Sequence, residues 1–230
     1  GLSAGFVWFC VPDSQVEYSG DSRRRFSLKQ VPTVLRNPAV WLQGVIVVCA
    51  YTGYKGGDDF GLYSRDAFGF DDIQAARLST FALWLRPVTA LGAGLLADRF
   101  GTSRSVLLCF VLLAIGDLAI ALGLPGAALP WSLYLLVAGT SAMVYGLRGI
   151  YFALFPEAGV SIALTGTAVG LVSFIGYTPD VFMGPLMGYL TDNYPGALGH
   201  QYLFAALAGF AVCGGMATLA FQRVGSRRKS

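Results

Sequence analysis

Long apolar runs separated by short polar punctuation organise this chain. Stretches 105–116 and 131–147 contain no charged residue at all. Six segments, at 39–64, 75–97, 104–123, 129–154, 161–190 and 201–222, are each long enough to cover a hydrocarbon core of about 30 Å at about 1.5 Å per helical residue. The pattern therefore predicts an all-α membrane protein, a six-helix transmembrane bundle. The first ten residues, GLSAGFVWFC, are apolar from the start and read as the tail of a preceding span. Between them and the first full span, residues 11–37 carry Arg23, Arg24, Arg25, Lys29 and Arg36 and read as a basic linker. Pro38 is expected to open the next helix, because a first-turn N–H has no partner to lose.

Composition strengthens this reading. Of the 230 residues, 55% are hydrophobic and only 13% charged, against about a quarter charged in a typical soluble domain. The net charge of +3 is too small and too scattered for a nucleic-acid surface. Cys10, Cys49, Cys109 and Cys213 lie far apart in or beside apolar runs and read as small apolar residues, not as a disulfide or metal set. There is no HExxH or GxSxG pattern, and the single histidine, His200, falls in an expected loop and reads as solvated. No enzymatic activity, metal or cofactor is expected.

Charge distribution predicts orientation. With the linker cytoplasmic, alternation places Arg99, Arg104, Arg223 and the basic tail 224–230 on the same side; eleven basic residues then face the cytoplasm and two, Arg65 and Arg77, the other side. The expected location is a cell membrane, with linker and C-terminus inside.

Charges inside apolar segments mark candidate chemistry, because an ionisable group at bilayer depth needs a partner or a wet cavity. In the first full span, Tyr51, Lys55 and either Asp58 or Asp59 fall on one helical face, with Tyr54 beside them. Gly56-Gly57 is the expected break. These residues read either as a substrate or coupling-ion site or as an internal Lys55–Asp59 ion pair. Arg86, twelve residues before Asp98, sits about 18 Å from the inner end, near the midplane. Its planar fork of donors suits an oxyanion; the competing reading is neutralisation of Asp58, Asp59 or an acid in a missing half of the protein. Trp84 beside it could stack on a flat ligand or simply pack. Arg148, flanked by Tyr145 and Tyr151, reads as a cargo contact or as a structural residue between the packing glycines Gly146 and Gly149. Asp117 is the lone charge of its span and is expected to be protonated or hydrogen-bonded to a neighbour. Asp180 follows Pro179, whose ring frees the carbonyl of Ile175. Asp180 is the candidate coupling residue, expected to be buried, with capping of the bend as the competing role. Gly166/Gly170 and Gly184/Gly188 read as helix-packing pairs, and Trp8, Trp41 and Trp131 as interface anchors.

The sharpest local motif is Gly94-Leu95-Leu96-Ala97-Asp98-Arg99-Phe100-Gly101-Thr102-Ser103-Arg104. Here Gly94 would admit a neighbouring backbone, Asp98 would accept from amides of the next helix, and Gly101 would permit a tight turn. The pattern GxxxDRxGxxR resembles the signature loop of the major facilitator superfamily. A partial second copy, Gly188-Tyr189-Leu190-Thr191-Asp192, ends the fifth span on the opposite side, as an inverted three-plus-three repeat would produce. The resemblance extends over essentially the whole chain, as the end of helix 6, the central linker and helices 7 to 12. The segments 148–154, 165–170, 176–180 and 184–188 are similar to bacterial permeases labelled nitrate/nitrite-type or sugar-sulfonate-cluster transporters.

What this resemblance implies is a secondary active transporter that moves a small anion by alternating access with proton or ion coupling. A missing N-terminal six-helix half would supply the other wall of the pathway. Tyr51, Tyr54, Lys55, Trp84, Arg86 and Arg148 would then contact substrate, Asp58, Asp59 and Asp180 would serve coupling, and Gly94, Asp98, Arg99, Gly101 and Arg104 would gate. The alternative is a non-transporting receptor or scaffold with a transporter-like fold.

Overall fold

A computed structural model of the chain describes residues 31–124, 126, 130–157, 159–160 and 162–226. The apolar first ten residues, linker positions 11–30 and tail positions 227–230 lie outside the described residues. Every regular element among the described residues is helical. In chain order these are α1 (Val31–Leu35), α2 (Pro38–Gly56), a 3₁₀ turn (Gly57–Asp59), α3 (Phe60–Phe68), α4 (Asp72–Phe100), α5 (Thr102–Ala121), α6 (Pro130–Ile150), a second 3₁₀ turn (Tyr151–Leu154), α7 (Ile162–Gly176), α8 (Pro179–Asn193) and α9 (Ala197–Ser226). The part of the linker that is described is thus partly helical.

The ends of these helices follow from their sequence. Asn37 caps α2, its side chain accepting from the Ala39 amide at 3.1 Å, and Pro38 occupies the first turn. Asp71 and Gln74 form a reciprocal capping box at the start of α4. Gly101 divides α4 from α5 at φ +92°, a left-handed value that glycine reaches without Cβ strain.

Among the described residues, four helical stretches are long and apolar enough to cross a membrane: Asp72–Phe100, Thr102–Ala121, Trp131–Leu154 and Ala197–Gly225. The two remaining units are interrupted. The first full span is α2 and α3 joined through the 3₁₀ turn, as Gly56-Gly57 suggested. The fifth is α7 and α8, parted at Tyr177–Thr178, where the Thr178 amide and hydroxyl both donate to the Ile175 carbonyl, at 3.2 and 2.8 Å.

Packing pairs these units in a definite order. Helix α9 runs against α5 and α2, α4 against α6, α5 against α6, and α2 against α7; α8 also touches α9, and α4 touches α5. Glycines set the closest approaches. Gly149 lies against Ala90 and Gly146 against Ala93, so α4 and α6 meet as the glycines flanking Arg148 predicted. By contrast, a Cβ at Gly94, Gly166, Gly170, Gly184 or Gly188 would meet nothing within 4 Å. No described residue packs on these five positions, so the helix contacts expected of them are not made among the described residues.

Gly199 is tighter still, since a Cβ there would lie 2.5 Å from the Tyr194 carbonyl oxygen and 2.7 Å from that of Leu190. Backbone atoms cannot rotate away as a side chain can. Gly199→Ala is therefore expected to cost about 1–3 kcal/mol, read as a lower melting temperature of the purified protein in detergent.

Candidate functional site

The site grows from the last turns of α2. Tyr51 and Lys55, four residues apart, share one face, and the change to 3₁₀ winding after Gly56 turns Asp58 onto it as well. Lys55 Nζ lies 2.9 Å from Asp58 Oδ2 and 3.6 Å from Asp180 Oδ1. The Tyr51 hydroxyl donates to Asp180 Oδ2 at 2.9 Å. Asp180 stands in the first turn of α8, just past the break, where a carboxylate also faces the positive end of the helix dipole.

Arg148 enters from α6. Its guanidinium carbon lies 3.9 Å from the centre of the Tyr54 ring and 5.3 Å from that of Tyr51, a cation–π arrangement. Tyr177 sets its ring against Tyr51 at 4.8 Å, and Tyr145 against Tyr54 at 6.3 Å. Nη1 of Arg148 is buried and has no hydrogen-bond acceptor among the described residues. Two bases, two acids and four tyrosines thus converge from α2, α6 and the α7–α8 junction. The acids are taken by Lys55 and Tyr51, which leaves Arg148, among the described residues, as a positive charge set against aromatic faces alone.

Several expectations are corrected by this geometry. Lys55 pairs with Asp58 and Asp180, not with Asp59, because the 3₁₀ turn sends Asp58 and Asp59 to opposite sides. Asp180 is half exposed and ion-paired, not buried in an apolar setting. Arg86 is exposed on α4 and forms no ion pair among the described residues, so it neutralises neither Asp58 nor Asp59. Trp84 is 75% exposed beside Leu83 and Val88 on an apolar face and stacks on no described residue. Asp117 is buried, and its Oδ2 has no hydrogen-bond partner among the described residues.

At the α4–α5 turn, Gly101 takes the expected role but Asp98 does not. The α5 amide of Ser103 is met by Glu157, at 3.3 Å from Oε1, while Asp98, Arg99 and Arg104 are exposed. Arg99 makes a cation–π contact with its neighbour Phe100 at 5.5 Å.

A second polar cluster was not foreseen. Helix α9 begins at Ala197, so His200 lies in its first turn and is fully buried, not solvated in a loop. Its Nδ1 is 2.6 Å from Asp59 Oδ2 and its Nε2 3.1 Å from Asp66 Oδ2, with the Tyr63 ring alongside. A neutral imidazole has one donor. With both nitrogens against carboxylates, the three groups together hold two bridging protons. The seven-residue spacing of Asp59 and Asp66 was the available signal, since it places both on one helical face.

The described fold is that of an all-α membrane protein. No family model matches the chain. Its relatives include the inner membrane protein YihN of Escherichia coli (strain K12), 28% identical over 99% of this chain and 56% of its own length. Inner membrane protein YqcE of the same organism is 24% identical over 90% of the chain and 50% of its own length. An uncharacterized protein of Mycoplasma pneumoniae is 23% identical over 59% of the chain and 67% of its own length. The chain spans about half the length of the two Escherichia coli relatives. Together, the apolar helices and these relatives support a bacterial inner-membrane protein.

Proposed function

We propose that the chain is one half of a secondary active transporter of major facilitator type, which moves a small anion by alternating access and performs no chemistry on it. The observation that carries this reading is the Tyr51–Lys55–Asp180–Arg148 cluster. It gathers charge where two interrupted helical units meet, the arrangement by which membrane carriers bind solutes and ions at irregular backbone.

The packing order adds support. Number the six units in chain order, with α2–α3 first and α7–α8 fifth. Exchanging each unit with the one three places away turns the first–fifth contact into fourth–second, the first–sixth into fourth–third, and the second–third into fifth–sixth, and all of these occur. Such exchange is what an inverted three-plus-three repeat would require; only the contact of α3 with α4 lacks a counterpart of similar size. In this reading a second six-helix half faces the cluster, the basic linker and C-terminus lie in the cytoplasm, Arg148 receives the anion, and Asp180 carries the coupling ion's charge balance.

Uptake of labelled carboxylates, sulfonates and nitrate into proteoliposomes holding the full-length protein tests this. The parent should accumulate at least one of them along an ion gradient. Asp180→Asn should abolish accumulation yet keep exchange of internal for external substrate. Saturable binding without uptake of any of them would overturn transport in favour of a receptor.

A further inference from the structure

The Asp59–His200–Asp66 triad has no part in the proposed binding of solute. Its imidazole is fully buried and Asp59 nearly so, whereas the Asp66 side chain, in the last turn of α3, is 37% exposed. One carboxylate is therefore dry and the other reaches water, with the ring between them.

The charges around the ring do not balance. Two acids face one base, and the neighbouring Arg65 is held by Asp72 at 3.1 Å. Tyr63 lays its ring beside the imidazole at 5.4 Å and brings no positive charge. The helices packed on α9 add none either. Lys55 of α2 is engaged by Asp58 and Asp180, and α8 ends near the exposed Asp192. Besides Asp117, α5 carries only Arg104, which lies at its far end, because the end nearer His200 is the one where Gly123 meets Gln201. Bridging protons are thus what hold both carboxylates to the ring.

A neutral imidazole has one N–H and one lone pair. With a single proton in the triad, one nitrogen would turn its lone pair on a carboxylate at hydrogen-bond distance, which is repulsive. A second proton removes that repulsion. The two acids differ in what they can do when it leaves. Asp59 is enclosed and its contact is the shorter, 2.6 against 3.1 Å, while Asp66 has water to turn into. The proton that comes and goes accordingly belongs to the Nε2 side.

We propose that His200 Nε2 and Asp66 form a binding site for one exchangeable proton, which enters from water along Asp66 and, while bound, ties the end of α3 to the start of α9. On loading, hydronium gives up a proton and an N–H bond forms at Nε2; on release that bond breaks, the proton returns to water and Asp66 turns outward. Asp59 keeps the Nδ1 proton throughout and positions the ring. The inference does not rest on the transport reading, since a receptor with this triad would bind the same proton and failed uptake would leave it standing.

Nitrogen NMR of the full-length protein in detergent, with 15N in its histidine rings, follows the site at equilibrium; the His200 signals are those lost in His200→Gln. Both ring nitrogens should carry protons at about pH 5, and Nε2 should lose its own in one reversible step before about pH 9, the region in which histidine changes charge. Asp66→Asn keeps an oxygen acceptor but not the charge. It should weaken proton binding about tenfold, a shift of about one pH unit in the midpoint, and Asp66→Glu should recover most of the loss. Two protons retained through pH 9 in the parent would make the triad a permanent link and overturn the proposal. So would a ring with one proton at pH 5, or equal midpoints in the parent and Asp66→Asn.

Discussion

His200→Ala is expected to destabilise the protein by about 3–5 kcal/mol, the range found when one member of a buried charged network is removed and its partners stay behind. The imidazole bridges Asp59 and Asp66, and Asp59 is itself only 2% exposed. Without the ring, a buried carboxylate loses its hydrogen bond at 2.6 Å and α9 loses its polar link to the 3₁₀ turn and α3, keeping the packing of Phe204 on Phe60 and Tyr63. Thermal unfolding in detergent measures the loss. Because the groups act together, Asp59→Asn in the His200→Ala background should recover part of it, giving a coupling energy in a double-mutant cycle. A melting temperature equal to the parent's would show that the network contributes nothing to stability.

The second large effect is expected at Arg148. Its buried Nη1 lacks an acceptor and its plane rests on Tyr54, so an oxyanion arriving there would gain a donor that already stands desolvated. Lysine retains the charge but neither the planar stacking nor the forked donors. Arg148→Lys should therefore weaken anion binding about tenfold or more, at least 1.4 kcal/mol, while leaving the fold intact. Titration with carboxylates, sulfonates and nitrate measures it. Unchanged affinity for every bound anion would confine Arg148 to packing.

The contrast between Arg148 and Arg86 explains what was legible in the sequence. Helix positions followed from apolar length, and depth along a helix followed from its rise, so both arginines were found. Direction around the helix was not encoded in the same way. In water, an apolar stripe marks the inner face; in α4, Trp84, Val88 and Leu91 are apolar and exposed while Ala93 and Ala97 are apolar and buried. Hydropathy alone cannot rank two such faces, and Arg86 was accordingly given the central place that the geometry favours for Arg148. His200 was missed for a different reason. The apolar count began the last span at residue 201, whereas Ala197 and Leu198 start the helix a turn earlier, and a histidine one residue outside an apolar run reads as solvent-facing. The Lys55 and Asp180 pairing joins residues 125 positions apart across a break, and no local spacing reports such a contact.

The interruption at Tyr177–Thr178 gives Asp180 a mechanical position. Helix α7 is fixed against α2, with Gly176 so close that a Cβ would lie 2.4 Å from Val47 Cγ1, whereas α8 continues beyond the joint for fifteen residues. Fifteen residues make a lever of about 22 Å, so a tilt of about 10° at the joint would carry its far end about 4 Å. Asp180 sits beside the fulcrum and is moored to Tyr51 and Lys55. Asp180 is one of two ties on α8, the other being its packing on α9 through Phe182 against Phe210 and the buried Met183, so a proton or a cation acting at the short arm would bias the tilt of α8 about its contact with α9.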